Sequence, residues 1–184
     1  MSTLSVNEIT SQTGNKISVP SGKIFTAPGH ILQVKSASQT DVQTLTENAY
    51  EDITGLSLTI TPASTSSKIL VMASVCYGGT HANNYGHGIL MRDSTVIGIG
   101  STATGNRINV SFPMDLSGSS TETYKLRQAS ATFLDSPNTT SSTIYKVRAY
   151  HAVNGTMYIN RSGQDSNEDY GLRGISTLTI MELA

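Results

Sequence analysis

The chain has 184 residues and a formal net charge of −1, from 12 basic and 13 acidic residues. Charged residues make up only 14 %, against about 25 % in ordinary globular proteins, and 25 serines and 24 threonines take their place. This leaves no electrostatic footprint for a phosphate backbone, argues against exposed helices, which want Glu, Lys, Arg and Ala, and favours sheets with a hydroxyl-rich solvent face.

The first 30 residues differ from the rest. Leu4, Val6, Ile9, Ile17, Val19, Ile24 and Phe25 are spread among turn-formers, with Thr13-Gly14-Asn15, Pro20-Ser21-Gly22 and Pro28-Gly29 as punctuation. Segments this short make no independent sheet, so residues 1–30 read as an attachment arm or short stem and residues 31–184 as the body. Met1 to Gly14 is polar, so no secretory leader is expected.

From Ile31 the hydrophobic period is two. Strands are expected at Ile31 to Lys35, Gln43 to Ala49 and Leu56 to Ile60, where apolar residues alternate with Ser57 and Thr59. In the next strand Ile69, Val71, Ala73, Val75 and Tyr77 line one face; Leu70, Met72, Ser74 and Cys76 line the other. An antiparallel sheet normally turns one face to water, so a strand apolar on both sides needs a second cover. That makes Leu70 and Met72, or the opposite row through Val71 and Val75, the candidate contact between identical copies. This apolar run is too short to cross a bilayer as a helix, which takes about 20 residues, and no membrane insertion is expected.

Further strands are expected at Gly88 to Arg92, Thr95 to Ile99, Arg107 to Phe112, Ala131 to Leu134, Ser142 to His151, Gly155 to Arg161 and Ile175 to Leu183. No stretch has helical spacing. About ten short strands with regular turns predict an all-β fold, an antiparallel β-sandwich of jelly-roll type, with an extended N-terminal arm. An internal echo points the same way. Pro62-Ala63-Ser64-Thr65-Ser66-Ser67-Lys68-Ile69 and Pro137-Asn138-Thr139-Thr140-Ser141-Ser142-Thr143-Ile144 share five of eight residues, which suggests equivalent corners in two related halves.

Candidate chemistry is sparse. Tyr77, His81, Tyr85 and His87 surround a Gly/Asn-rich loop suited to contact with a partner or a glycan, without the three or four ligands that zinc wants. A second loop holds Asp165, Glu168, Asp169 and Tyr170; its carboxylates lack the spacing of a calcium loop, and cleavage of a glycoside by a pair of them is the minor reading. Cys76, the only cysteine, sits in the most apolar strand as an inert thiol. No phosphate loop, dinucleotide fingerprint or nucleophile elbow is present, so neither enzymatic activity nor a cofactor or metal is expected.

Taken together, Met1-Ser2-Thr3-Leu4-Ser5-Val6-Asn7-Glu8-Ile9, Gly29-His30-Ile31-Leu32-Gln33-Val34, Ile60-Thr61-Pro62-Ala63-Ser64-Thr65-Ser66-Ser67-Lys68-Ile69-Leu70-Val71, Phe133-Leu134-Asp135-Ser136-Pro137 and Ser176-Thr177-Leu178-Thr179-Ile180-Met181-Glu182-Leu183 give the chain a family look. It resembles small virion proteins of tailed phages of marine bacteria and cyanobacteria, described as tail fibre or virion structural proteins. The resemblance runs from end to end and is carried by turns and strands. It implies a homotrimeric virion surface protein, made in the host cytoplasm, joined to other phage virion proteins through its N-terminal arm and touching a host glycan or protein. No long shaft follows the arm, so a short tail fibre or knob is expected. A capsid decoration protein is the alternative, and a glycan-binding or depolymerase module a third.

Overall fold

A computed structural model describes residues 27–80, 85–101, 104–116, 123–152 and 155–184. The predicted arm therefore lies outside the described residues up to residue 26. Its last residues are tied to the body, where the Gly29 N–H donates to the Ala184 carbonyl at 3.2 Å and the Ala184 N–H donates to the His30 carbonyl at 2.9 Å.

Eleven strands are described: β1 (Ile31–Gln39), β2 (Gln43–Leu45), β3 (Ala49–Ile60), β4 (Lys68–Gly79), β5 (Tyr85–Arg92), β6 (Thr95–Ile97), β7 (Phe112–Asp115), β8 (Arg127–Asp135), β9 (Thr143–His151), β10 (Met157–Ile159) and β11 (Ser176–Leu183). All named strand pairs are antiparallel. On one edge of β4, β11 covers Lys68 to Ser74 and β10 covers Tyr77 to Gly79, while β8 covers the other edge. β1 and β2 continue the sheet beyond β11 and β10. Sheet A is thus four strands wide, in the order β1/β2, β11/β10, β4, β8. Sheet B is built the same way, as β3, β9, β5 and then β7 with β6. Two four-wide antiparallel sheets, between which the chain repeatedly crosses, form a jelly roll.

The echo in the sequence marks two of those crossings. Residues 61–67 carry the chain from β3 in sheet B to β4 in sheet A, and residues 136–142 carry it from β8 in sheet A to β9 in sheet B. Each is closed by the same side-chain turn: the Ser66 N–H donates to Ser64 Oγ at 3.2 Å, and the Ser141 N–H to Thr139 Oγ1 at 3.0 Å. Ser and Thr replace a backbone acceptor here, so the chain reverses between sheets without a glycine. Lys68 Nζ donates to Ser136 Oγ at 2.8 Å and joins one corner to the other.

The core lies between the sheets. Ile69, Val71, Ala73, Val75 and Tyr77 from β4, with Leu178 and Ile180 from β11, meet Ile53, Leu56 and Ile60 from β3 and Tyr145, Val147 and Ala149 from β9. Burying a large aliphatic side chain fully is worth about 1.5–3 kcal/mol. Gly88 on β5 is required by this packing, because a Cβ there would lie 2.0 Å from Cζ of Phe112.

Several strand boundaries differ from expectation. Arg107 to Val110 is not strand, and β7 begins at Phe112; the chain turns at Gly105 with φ 68° and joins the sheet only where Phe112 reaches Gly88. β3 begins at Ala49 rather than Leu56, because a bulge between Asp52 and Ser57, with Gly55 at φ 80°, breaks the alternation that the period-two pattern relies on. β8 runs from Arg127, four residues earlier than expected.

Candidate interaction surfaces

Of the residues expected in the first contact loop, His81 lies outside the described residues. The others are not in a loop. Tyr77 ends the inner row of β4 at 5 % exposure, with its hydroxyl 3.1 Å from the Asp115 N–H, which donates to it; burial pushes its pKa up. Tyr85 and His87 begin strand β5. Tyr85 is 57 % exposed, His87 only 8 %. The glycines around them suggested a loop; in the structure those glycines admit the neighbouring side chains of Phe112 and Met157 to the strand.

The second loop is knitted to itself. Asp165 is clamped between Arg161 and Arg173, and these partners, the hydrogen bond from Arg173 foremost, hold its carboxyl below the usual range. A carboxylate so paired is not a free ligand for a cation. The Arg161 guanidinium also lies 3.9 Å above the Tyr158 ring centroid. Glu168, Asp169 and Tyr170 are exposed, and Tyr170 packs edge-on against Tyr124 at 5.1 Å. Among the described residues no three His, Cys, Asp or Glu side chains converge as a metal site would require.

For the candidate interface, the structure separates the two rows of β4. Val71 and Val75 are 1 % and 0 % exposed inside the sandwich, so the reading that put this row between copies is corrected: sheet B covers it within the chain. Leu70 and Met72 are half-buried on the outer face of sheet A. The register makes that face a set of cross-strand rows. Ser38, Thr177, Ser74 and Ser130 form one, and Ser36, Thr179, Met72 and Thr132 the next, with Ser36 Oγ and Thr179 Oγ1 3.0 Å apart. The third row, Val34, Met181, Leu70 and Leu134, is apolar across all four strands; Val34 is 53 % and Leu134 50 % exposed. Ile31 and Leu183 adjoin it.

The outer face of sheet B carries Tyr85 and His87, which the sequence had suggested for a loop. Its register sets Tyr50, Tyr150, His87 and Pro113 in one row. The His87 ring stacks on Tyr150 at 4.8 Å, and Tyr50 lies 5.2 Å from Tyr150. The Tyr50 hydroxyl is 2.6 Å from His87 Nε2. Burial lowers the His87 pKa and raises that of Tyr50. In the next row Arg148 Nε lies 3.0 Å from Asp52 Oδ1, and Lys146 Nζ 2.7 Å from Asp52 Oδ2.

Asp135 and Glu182 are buried carboxylates, each held by several donors. Asp135 takes Arg92 Nη1 on both oxygens at 2.9 and 2.8 Å and the Tyr145 hydroxyl at 2.6 Å. Glu182, fully buried, accepts the Ala63 N–H at 2.6 Å and Gln33 Nε2 at 2.5 Å; burial pushes its pKa up, but these donors outweigh burial and keep it low. His151 is also fully buried. Burial lowers its pKa against the opposing pulls of Glu47 and the Leu45 backbone.

No protein-family model matches the chain, and no curated protein matches it. Solved structures do. A TNF protein, Eiger, from S. frugiperda aligns at 13 % identity and a TM-score of 0.45, over 86 % of this chain and 94 % of its own. The VP2 protein of infectious bursal disease virus, in a mutant form from derived particles, aligns at 10 % identity and a TM-score of 0.44, over 92 % of this chain and 40 % of its own. The Gx strain of the same virus gives 10 % identity, a TM-score of 0.40, and 92 % and 42 % coverage. The chain spans well under half of these viral chains, and its own strand order is the basis of the jelly-roll assignment.

Proposed function

We propose that this chain is a non-enzymatic structural subunit of a virion surface, three copies packing together through the outer face of sheet A, as a short tail fibre or knob. The observation that carries the reading is the apolar row Val34, Met181, Leu70 and Leu134. It crosses the whole sheet, is bordered on one side by the hydroxyl-rich row of Ser36, Thr179 and Thr132, and is left half-exposed in the single chain. A contiguous apolar surface on a soluble protein marks an association site. The end-to-end sequence resemblance to phage virion proteins supplies the setting. The outer face of sheet B, aromatic and charged, is left for a host surface, and residues 1–30 for attachment to the particle.

Mass measurement in solution tests the association. The wild type is expected to assemble in a multiple of three copies, and Leu70→Glu to remain a folded chain of lower stoichiometry with an unchanged circular dichroism spectrum. A wild type that runs as a single chain ends the reading. Electron microscopy of labelled particles then separates a tail position from density over the head, which would make the chain a capsid decoration protein.

A further inference from the structure

Each sheet of a sandwich has two outer edges, and an unpaired edge is a template for another chain unless something blocks it. Three of the four edges here are blocked. β1 carries a bulge between Ile31 and Gln33, and its side chains reach across to β3: Lys35 Nζ donates to the Thr59 carbonyl at 2.6 Å, and Gln33 Nε2 to the Thr61 carbonyl at 3.0 Å. The same contacts occupy β3, which has its own bulge and Gly55 at positive φ. The edge formed by β6 and β7 is broken into strands of three and four residues, with Pro113 inside β7.

β8 has none of these devices. It pairs with β4 through nine unbroken positions, from Tyr77 opposite Arg127 to Ile69 opposite Asp135, and among the described residues no strand pairs with its other side. Between its end residues the sequence Gln-Ala-Ser-Ala-Thr-Phe-Leu contains no charge, proline or glycine. Gln128, Ser130, Thr132 and Leu134 point to solvent, and the inward-facing Ala131 and Phe133 are only partly buried.

We infer that β8 pairs antiparallel with β8 of a second copy of this chain about a two-fold axis at Ala131. The strand is self-complementary in that register. Ala129 meets Phe133, small against large; Ser130 meets Thr132; Gln128 meets Leu134; and no like charges are opposed, since the residues between Arg127 and Asp135 carry no charge. The contact is isologous, closes on itself and leaves no strand edge free to propagate. It adds a two-fold contact to the three-fold one proposed above and does not depend on it.

The register supplies its own test. In Ser130→Lys with Thr132→Lys, each lysine faces a lysine of the partner; in Ser130→Lys with Thr132→Glu, each lysine faces a glutamate. Native mass spectrometry is expected to give an even-numbered wild type, half that mass for the double-lysine variant, and the wild-type mass for the lysine–glutamate variant. Without any substitution, the amides of residues 127–135 in the wild type exchange with deuterium more slowly at high than at low protein concentration. A wild type of odd number, an unchanged mass for the double-lysine variant, equal loss in both variants, or exchange independent of concentration overturns the inference. A dimer that falls to a monomer sustains β8 pairing and ends the three-fold reading; a trimer indifferent to the lysines does the reverse.

Discussion

The outer faces of the two sheets have the same strand geometry and opposite chemistry. On sheet A the rows are Ser, Thr and aliphatic side chains, with Lys68 at the margin. On sheet B an aromatic row stands beside Asp52, Arg148 and Lys146, which neutralise one another in part. Water is content with either, because hydroxyls and ion pairs both remain hydrated. A protein surface is not: docking against sheet B desolvates charges, which is expensive, whereas docking against sheet A desolvates hydroxyls and releases water from aliphatic carbon.

The sharpest way to break this comparison is to move a charge from one side of β4 to the other. Val75→Asp places an unpaired carboxylate in the core between the sheets and is expected to abolish folding, since an isolated buried charge exceeds the few kcal/mol of a domain's stability. Met72→Asp, three residues earlier on the outer face, is expected to leave a folded chain with reduced association. Circular dichroism and mass measurement read both. A folded Val75→Asp would mean that the two faces have been assigned the wrong way round.

Asp135 is next in size. Asp135→Ala leaves the Arg92 guanidinium and the Tyr145 hydroxyl without the carboxylate they share. Removing one partner of a buried pair costs about 3–5 kcal/mol, discounted toward the lower figure because Arg92 is 25 % exposed. Urea titration should move the midpoint down with an unchanged slope.

His151 sharpens the comparison through pH, since it is an ionisable group on the inner face of sheet B. Its imidazole binds a proton less readily folded than unfolded, where the ordinary value is 6.5. In the window below about 6.5 the unfolded chain therefore holds more protons, and stability, full above this window, falls as pH drops through it. His87 contributes with the same sign. Glu182, whose folded value is lowered, adds a further loss as pH falls through the carboxylate range. One such histidine changes stability by up to about 1.4 kcal/mol per pH unit. Unfolding at pH 7.5 and pH 5 should show the loss, and His151→Phe should flatten it.

How far the sequence could be read follows from what kind of signal each part carries. Leu178 and Ile180, alternating with Thr177 and Thr179, announce a strand with one wet face, and the structure has that strand. The paired corners were visible because the Ser64 and Thr139 turns are local, set by residues two apart. Registers are not local. The apolar row on sheet A joins Val34, Leu70, Leu134 and Met181, which no window along the chain brings together. Tyr50, His87 and Tyr150 meet by the same route. The short strand spacing of Tyr85 and His87 was masked by glycines whose purpose is to admit distant side chains. Likewise the pairing of Asp165 with Arg173 depends on the path of a loop, and composition alone left that carboxylate looking available.

The smallest expected effect concerns Asp52 on sheet B. Its carboxylate holds Lys146 and Arg148, but its side chain is 54 % exposed. Surface ion pairs contribute about 0–1 kcal/mol because water and salt screen them, so Asp52→Asn should shift stability within that range. The shift should shrink further in 0.5 M salt, where the screening length is only a few Å, between the roughly 10 Å of 0.1 M and 3 Å of 1 M. On sheet A the matching change, Thr179→Ala, removes a hydroxyl bonded to Ser36 at the surface and should be equally small but indifferent to salt. Equal salt sensitivity of the two variants would mean that the outer faces do not differ in the way their side chains indicate.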